Sequence, residues 1–228
     1  MVERMIVGPL YTNAYIVSTG KKECFLVDPG AEATKICSRL ESLNLIPQAI
    51  ICTHGHLDHT SAAREIQSRY LVERDHRIPI GIHPNDAPYF GDGAEERHRE
   101  CFLPLGKQAA EVFDHLKADI PTADFLIEIG GSILESDFMA LETPGHTPGS
   151  ISLYSELRGV VFSGDTLLFK SVGRSDLPAG SADALVKSIS TQLFGLPDET
   201  RLFPGHGPFS SIEREKANNL LLEGERTF

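Results

Sequence analysis

Thr53-His54-Gly55-His56-Leu57-Asp58-His59 packs three imidazoles and a carboxylate into one short run, directly after the apolar segment Ala49-Ile50-Ile51-Cys52. The apolar segment reads as a short buried strand, and Thr60-Ser61-Ala62-Ala63-Arg64-Glu65-Ile66 onward reads as a helix. The cluster therefore stands at the C-terminal end of a strand, where open α/β sheets carry their sites. Residues two apart on an extended backbone point the same way, so His54 and His56 are placed to grip one ion together. The turn into the helix aims Asp58 and His59 at a neighbouring point. Four groups of borderline hardness at one strand end suit zinc, iron or manganese.

Working outward, residues 13–18 and 24–28 read as two strands joined at Gly20-Lys21, a hairpin at the start of a sheet. An amphipathic helix follows over 32–43, then the strand before the histidines and a helix ending near Tyr70. Residues 78–82 form a short apolar strand. From 85 to 122 the periodicity weakens around one helix, 108–117. That stretch is expected to be an excursion over the surface, with the character of a lid. Strands are expected at 138–143, 151–154 and 159–163, a helix at 182–193, a strand at 201–203 and a closing helix at 211–222. Strands flanked by helices in two successive blocks predict an α/β fold of two sheets packed face to face and covered outside by helices, in a single domain over 1–228.

Each later strand end offers a group that a metal would want. His146 follows one strand, Asp165 follows Val160-Val161-Phe162-Ser163-Gly164, and His206 follows another. Thr143-Pro144-Gly145-His146 and Phe203-Pro204-Gly205-His206 rhyme, each placing Pro-Gly-His after an apolar strand. Any one of these is explained as a turn residue; three added to the first cluster are not.

The set His-x-His-x-Asp-His, a later His, a Gly-Asp and a final Gly-His resembles the metallo-β-lactamase superfamily of hydrolases. The likeness runs from Gly8-Pro9-Leu10 and Val27-Asp28-Pro29-Gly30 to Pro204-Gly205-His206-Gly207-Pro208. Within it the chain is similar to short bacterial relatives of glyoxalase II (hydroxyacylglutathione hydrolase), which carry Gly-Arg-x-Asp after the bridging aspartate, here Gly173-Arg174-Ser175-Asp176. The resemblance implies a four-layer αββα sandwich with metals at one edge of the paired sheets. It gives one metal to His54, His56 and His146 and the second to Asp58, His59 and His206, with Asp165 bridging. Two divalent ions are implied, zinc first, with iron or manganese also compatible. A hydroxide shared by the two would attack a carbonyl carbon, and Asp58 would orient it and take its proton. A thiolate leaves without a general acid, so small acyl thioesters are the implied substrates.

Features of the glutathione-preferring subgroup are missing: Gly207-Pro208 stands where it has Glu-Tyr, and Arg174 and Asp176 stand where it has Lys and Tyr. Arg174 reads either as a bidentate substrate-carboxylate binder or as an ion-pair partner of Asp176. Asp28 is expected to support the ligand loop through backbone hydrogen bonds. His76, His83, His98 and His115 have no ligand-like partner at useful spacing and are left outside the site. Relatives that oxidise persulfides keep the same motif yet bind one iron through the equivalents of His54, His146 and Asp165, which makes such a dioxygenase the alternative; a non-enzymatic metal-binding protein is the second.

Composition narrows the partners. The 228 residues are 41% hydrophobic, enough for a substantial core, and 21 basic against 32 acidic residues leave a net charge of -11. That charge repels phosphate backbones, so nucleic acid is not an expected partner, whereas bound dications would still draw a small anion. No run approaches the ~18 apolar residues of a membrane helix. The N-terminus lacks the basic start and apolar core of a secretory signal, so a cytoplasmic protein without membrane contact is expected. The cysteines Cys24, Cys37, Cys52 and Cys101 lack redox or zinc-knuckle spacing and read as small buried hydrophobes. The oligomeric state is left open by these features.

Overall fold

The computed structural model describes residues 1–20, 22–117 and 120–219. The chain divides into two compact units, the first Met1–Leu126 and the second from Ile127 onward. The first carries a six-stranded mixed sheet in the order β1-β2-β3-β4-β5-β6, formed by Val2–Val7, Thr12–Ser18, Glu23–Val27, Ile46–Ile51, Ile80–Ile82 and Phe125–Leu126. β1, β2 and β3 pair antiparallel, and β3 to β6 run parallel. Parallel strands are covered on both faces and so read as continuous apolar runs, which is why Ile50, Ile51 and Cys52 are fully buried.

Helix α1 (Ala33–Leu43) buries Ala33, Ile36, Cys37 and Leu40, the i, i+3, i+4, i+7 stripe of an amphipathic helix. It ends on Asn44 in the left-handed region, whose N–H returns to the Leu40 and Glu41 carbonyls. After β4 come a single turn, α2 (Leu57–Thr60), and α3 (Ala62–Arg74). Two helices, α4 (Ala94–Phe102) and α5 (Lys107–Leu116), occupy the stretch of weak periodicity, and Phe102, Phe113 and Leu116 join the core of this unit. Helix α4 escapes sequence reading because one of its four buried positions, Ala94, His98, Cys101 and Phe102, is a histidine. Strand β1 escapes it as an edge strand whose side chains are mostly half-exposed.

The second unit holds a five-stranded sheet of β13, β12, β9, β8 and β7 in that order, and a separate β10-β11 hairpin. The strands are β7 (Met139–Glu142), β8 (Ile151–Ser155), β9 (Val160–Gly164), β10 (Leu167–Leu168), β11 (Ser171–Val172), β12 (Arg201–Pro204) and β13 (Ser210–Ser211). β9 and β12 are parallel, joined through α6 (Ala182–Ser188) and a π-helical turn over Ile189–Leu193, and the other neighbours are antiparallel. Val161, Leu185, Ile189, Leu193, Leu202 and Ile212 make its core. The closing helix α7 is described over Ile212–Asn218; residues 220–222 and Lys21 lie outside the described residues. No helix among the described residues is long and apolar enough to cross a membrane.

Candidate metal centre

In the first unit the ligand candidates come from one turn. His56 caps α2 with extended φ/ψ, so the chain passes from strand geometry into a helix between the second imidazole and Asp58. The His54 ring lies 4.9 Å from His56 and 4.2 Å from His59, centroid to centroid. Asp58 Oδ2 is 3.5 Å from His59 Nε2 and accepts from the Thr12 hydroxyl at 3.3 Å. His54, His56 and His59 are all buried.

Asp28 holds this turn through both of its carboxylate oxygens. Its Oδ1 accepts from the Thr53 N–H at 2.7 Å, and its Oδ2 accepts from the Thr53 hydroxyl at 2.7 Å and from His59 Nδ1 at 3.0 Å. Because the Thr53 proton goes to Asp28, Thr53 Oγ1 accepts from His54 Nδ1, 3.1 Å away. Both rings thereby carry their proton on Nδ1 and present the Nε2 lone pair, the form in which histidine binds a metal while its other nitrogen donates to the protein. Asp28, His54 and His59 offer atoms within 4.8 Å of one another. With both Asp28 oxygens engaged by these bonds, its part is support rather than ligation. The expectation of backbone support was therefore right and incomplete: Asp28 also fixes two ring tautomers. Gly30, two residues on, is required by close approach, since a methyl there would overlap the Asp58 carbonyl.

In the second unit the candidates come from three strand ends. His146 follows β7, Asp165 follows β9 and His206 follows β12. Asp165 Oδ2 lies 3.8 Å from His146 Nε2 and 3.4 Å from His206 Nε2, between the two imidazoles. His146 Nδ1 donates to the Arg174 carbonyl at 2.7 Å. A carbonyl only accepts, so this ring too presents Nε2. Gly173 lets the segment approach: a side chain there would overlap the Asp165 carbonyl and crowd His146 Nδ1. The Arg174 guanidinium forms two 2.8 Å bonds to the Asp176 carboxylate, which lowers the Asp176 pKa. The ion-pair reading of Arg174 is thus realised, and its main-chain oxygen supports a ligand.

Four features had no ligand-like signal in the sequence: Thr12, Thr53, Asp86 and Tyr89. Asp86 accepts from the Gly55 N–H, and Tyr89 packs beside His56. Among the histidines left outside, His83 caps the turn Pro84–Tyr89, His76 contacts the Pro47 carbonyl and His98 the Tyr89 carbonyl. All four cysteines are free and buried; burial pushes the Cys24 thiol up to about 12 and Cys37 to about 11, and raises Cys52 and Cys101, so none is poised as a nucleophile.

Every ligand-bearing position falls inside residues 7–206, the span that matches the sequence model of the metallo-beta-lactamase superfamily. The chain is 33% identical to a probable metallo-hydrolase, YqgX, of Bacillus subtilis, over 97% of each chain. It is 32% identical to the hydroxyacylglutathione hydrolase GloC of Haemophilus influenzae, over 98% of this chain and 99% of that one. Among solved structures, the BLEG-1 B3 metallo-beta-lactamase superposes with a TM-score of 0.82 at 32% identity, covering 98% of this chain and all of that one. A di-iron-bound form of TTHA1623 superposes with 0.78 at 35% identity, over 96% and 100%.

Proposed function

This chain belongs to the metallo-β-lactamase superfamily, has its fold and is a metal-dependent hydrolase of it, and from that premise we propose that it hydrolyses small acyl thioesters of the 2-hydroxyacyl type. The observation that carries the reading is the donor set. The Nδ1 atoms of His54, His59 and His146 are all turned to protein acceptors, and a carboxylate oxygen lies between His146 and His206. Such imidazoles and carboxylates fit two divalent ions. We assign His54, His56 and His146 to one ion and Asp58, His59 and His206 to the other, with Asp165 shared. Zinc suits these donors, and the di-iron form of TTHA1623 supports iron as the second candidate.

Bound there, the metals would supply a water acidic near neutral pH and an electrophile for the carbonyl oxygen. The chain's own residues do the rest. Asp58 accepts the proton of the attacking water, held in place by the Thr12 hydroxyl. Asp28 keeps the His54 and His59 rings from rotating. The departing thiolate, with a conjugate-acid pKa of about 8.5, leaves without a proton donor, whereas an amine would require one. The name of the Haemophilus influenzae relative supports a hydroxyacyl thioester. Arg174 reaches a substrate carboxylate by exchanging Asp176 for it.

Thiol release from S-lactoylglutathione and other small thioesters, measured beside elemental analysis and with a β-lactam as control, tests the reading. Two metals per chain and thioester turnover are expected. One iron per chain with oxygen uptake on glutathione persulfide would replace it by a persulfide dioxygenase. No turnover of any of these by fully metallated protein would leave a metal-binding protein without this activity.

A further inference from the structure

Between β5 and α4 the chain makes a 3-10 turn, Pro84–Tyr89, that meets the ligand turn through Asp86 and Tyr89. Asp86 is fully buried, and its Oδ2 accepts from the Gly55 N–H at 2.8 Å. Gly55 is the residue between the first two imidazoles, so this bond fixes the peptide whose rotation would splay His54 from His56. A charge-assisted bond to a buried carboxylate is among the stronger ways to hold one N–H. Tyr89 fills the space a side chain at Gly55 would need: a Cβ there would sit 2.5–2.6 Å from three Tyr89 atoms. The Tyr89 ring meets His56 edge-on, centroids 5.5 Å apart at 89°.

The turn is itself anchored. His83 Nδ1 accepts from the Asn85 N–H at its start. At its end His98 of α4 donates from Nε2 to the Tyr89 carbonyl at 2.8 Å and lies 5.3 Å from its ring. Resting on the assignment of His54 and His56 to a metal, we infer that Asp86 and Tyr89 are positioning residues that set the first ligand pair, Asp86 through the Gly55 amide and Tyr89 through the His56 ring. Helix α4, which follows the turn, then serves as its foundation.

Cobalt(II) titration of metal-free protein, read by the absorption of its visible bands and by stoichiometry, tests this without using activity. In Asp86→Ala one of the two binding steps weakens by about 10–100-fold, the usual cost of losing an outer support, while the other is kept. Asp86→Asn, whose amide oxygen still accepts from Gly55, recovers most of that loss. Tyr89→Phe keeps the wild-type cobalt spectrum, and Tyr89→Leu shifts it. Asp86→Ala with both steps and the spectrum unchanged would overturn the inference, as would equal losses in Asp86→Asn and Asp86→Ala. Wild-type protein that takes up no cobalt would instead overturn the metal centre itself, a distinguishable failure.

Discussion

The two units hold their candidate ligands by different means. The first takes four candidate ligands from one turn and steadies them with carboxylates brought from elsewhere, Asp28 on Thr53 and His59 and Asp86 on Gly55. The second takes single ligands from three strand ends and steadies His146 with a main-chain oxygen, that of Arg174. A contiguous cluster concentrates like groups and orients them through side-chain acceptors, the Thr53 hydroxyl for His54 and the Asp28 carboxylate for His59. Scattered ligands each stand at the end of their own strand, and for His146 a backbone acceptor suffices. Side-chain support is open to substitution and protonation, and backbone support is open only to crowding.

Asp165→Asn strikes the second unit at the carboxylate among its candidate ligands and is expected to do the most. Without a charged oxygen between His146 and His206, metal content should fall below two ions per chain. Thioester turnover should drop by at least the about 10²–10³-fold that loss of one electrostatic stabiliser costs. Elemental analysis beside initial rates checks both. Wild-type metal content with full activity would mean that the strand-end ligands do not share an ion.

Crowding separates the units less. Gly30→Ala and Gly173→Ala each push a methyl group into a carbonyl, that of Asp58 in one unit and of Asp165 in the other. Overpacking of this kind costs about 3 kcal/mol. Both variants should therefore lose comparable stability in urea. Because the displaced carbonyls belong to candidate ligands, both should also bind cobalt more weakly at temperatures where they remain folded.

Acid should tell the units apart. Burial lowers the His98 pKa from 6.5 to about 4, with the Tyr89 carbonyl and Asp58 opposing and Arg97 adding to the shift. The unfolded chain takes up a proton below 6.5 that the folded one resists until about 4. This stability is therefore whole above pH 6.5 and is lost as pH falls from there through 4. Between pH 7.5 and pH 5 the loss is about 2 kcal/mol. His98→Gln, which keeps an N–H donor without the titration, should show a shallower pH dependence of its urea midpoint. Equal slopes for the two proteins would remove His98 from the foundation of the first unit.

What could be read in the sequence follows the same division. The first cluster was legible because chemistry and periodicity coincide at residues 49–66. His146, Asp165 and His206 were legible through the repeated Pro-Gly-His and the turn at Gly164-Asp165. The supports were not. Asp86 and Thr53 lie at no ligand spacing from anything, and their partners are backbone groups that every residue carries. Helix α4 was hidden because His98 stands where an apolar residue would mark the stripe, and it stands there to reach the Tyr89 carbonyl. The parts that stayed hidden are those whose meaning lies in a contact rather than in a residue type.

The smallest effect gives the sharpest contrast. Asp28→Asn keeps an oxygen for the Thr53 N–H and replaces the second acceptor with an amide N–H₂, a donor that can accept from neither the Thr53 hydroxyl nor His59 Nδ1. The Thr53 hydroxyl must then turn, and His54 Nδ1 loses its fixed acceptor. Two rings of the first unit are freed together while His146, bound to the Arg174 carbonyl, is untouched. Loss of an outer partner costs about 10–100-fold in metal affinity. Cobalt titration of Asp28→Asn should show that loss, whereas Arg174→Ala, which keeps the carbonyl, should show none. Arg174→Ala should instead raise KM for thioesters bearing a carboxylate. Equal losses of cobalt affinity in the two variants would erase the distinction between side-chain and main-chain support.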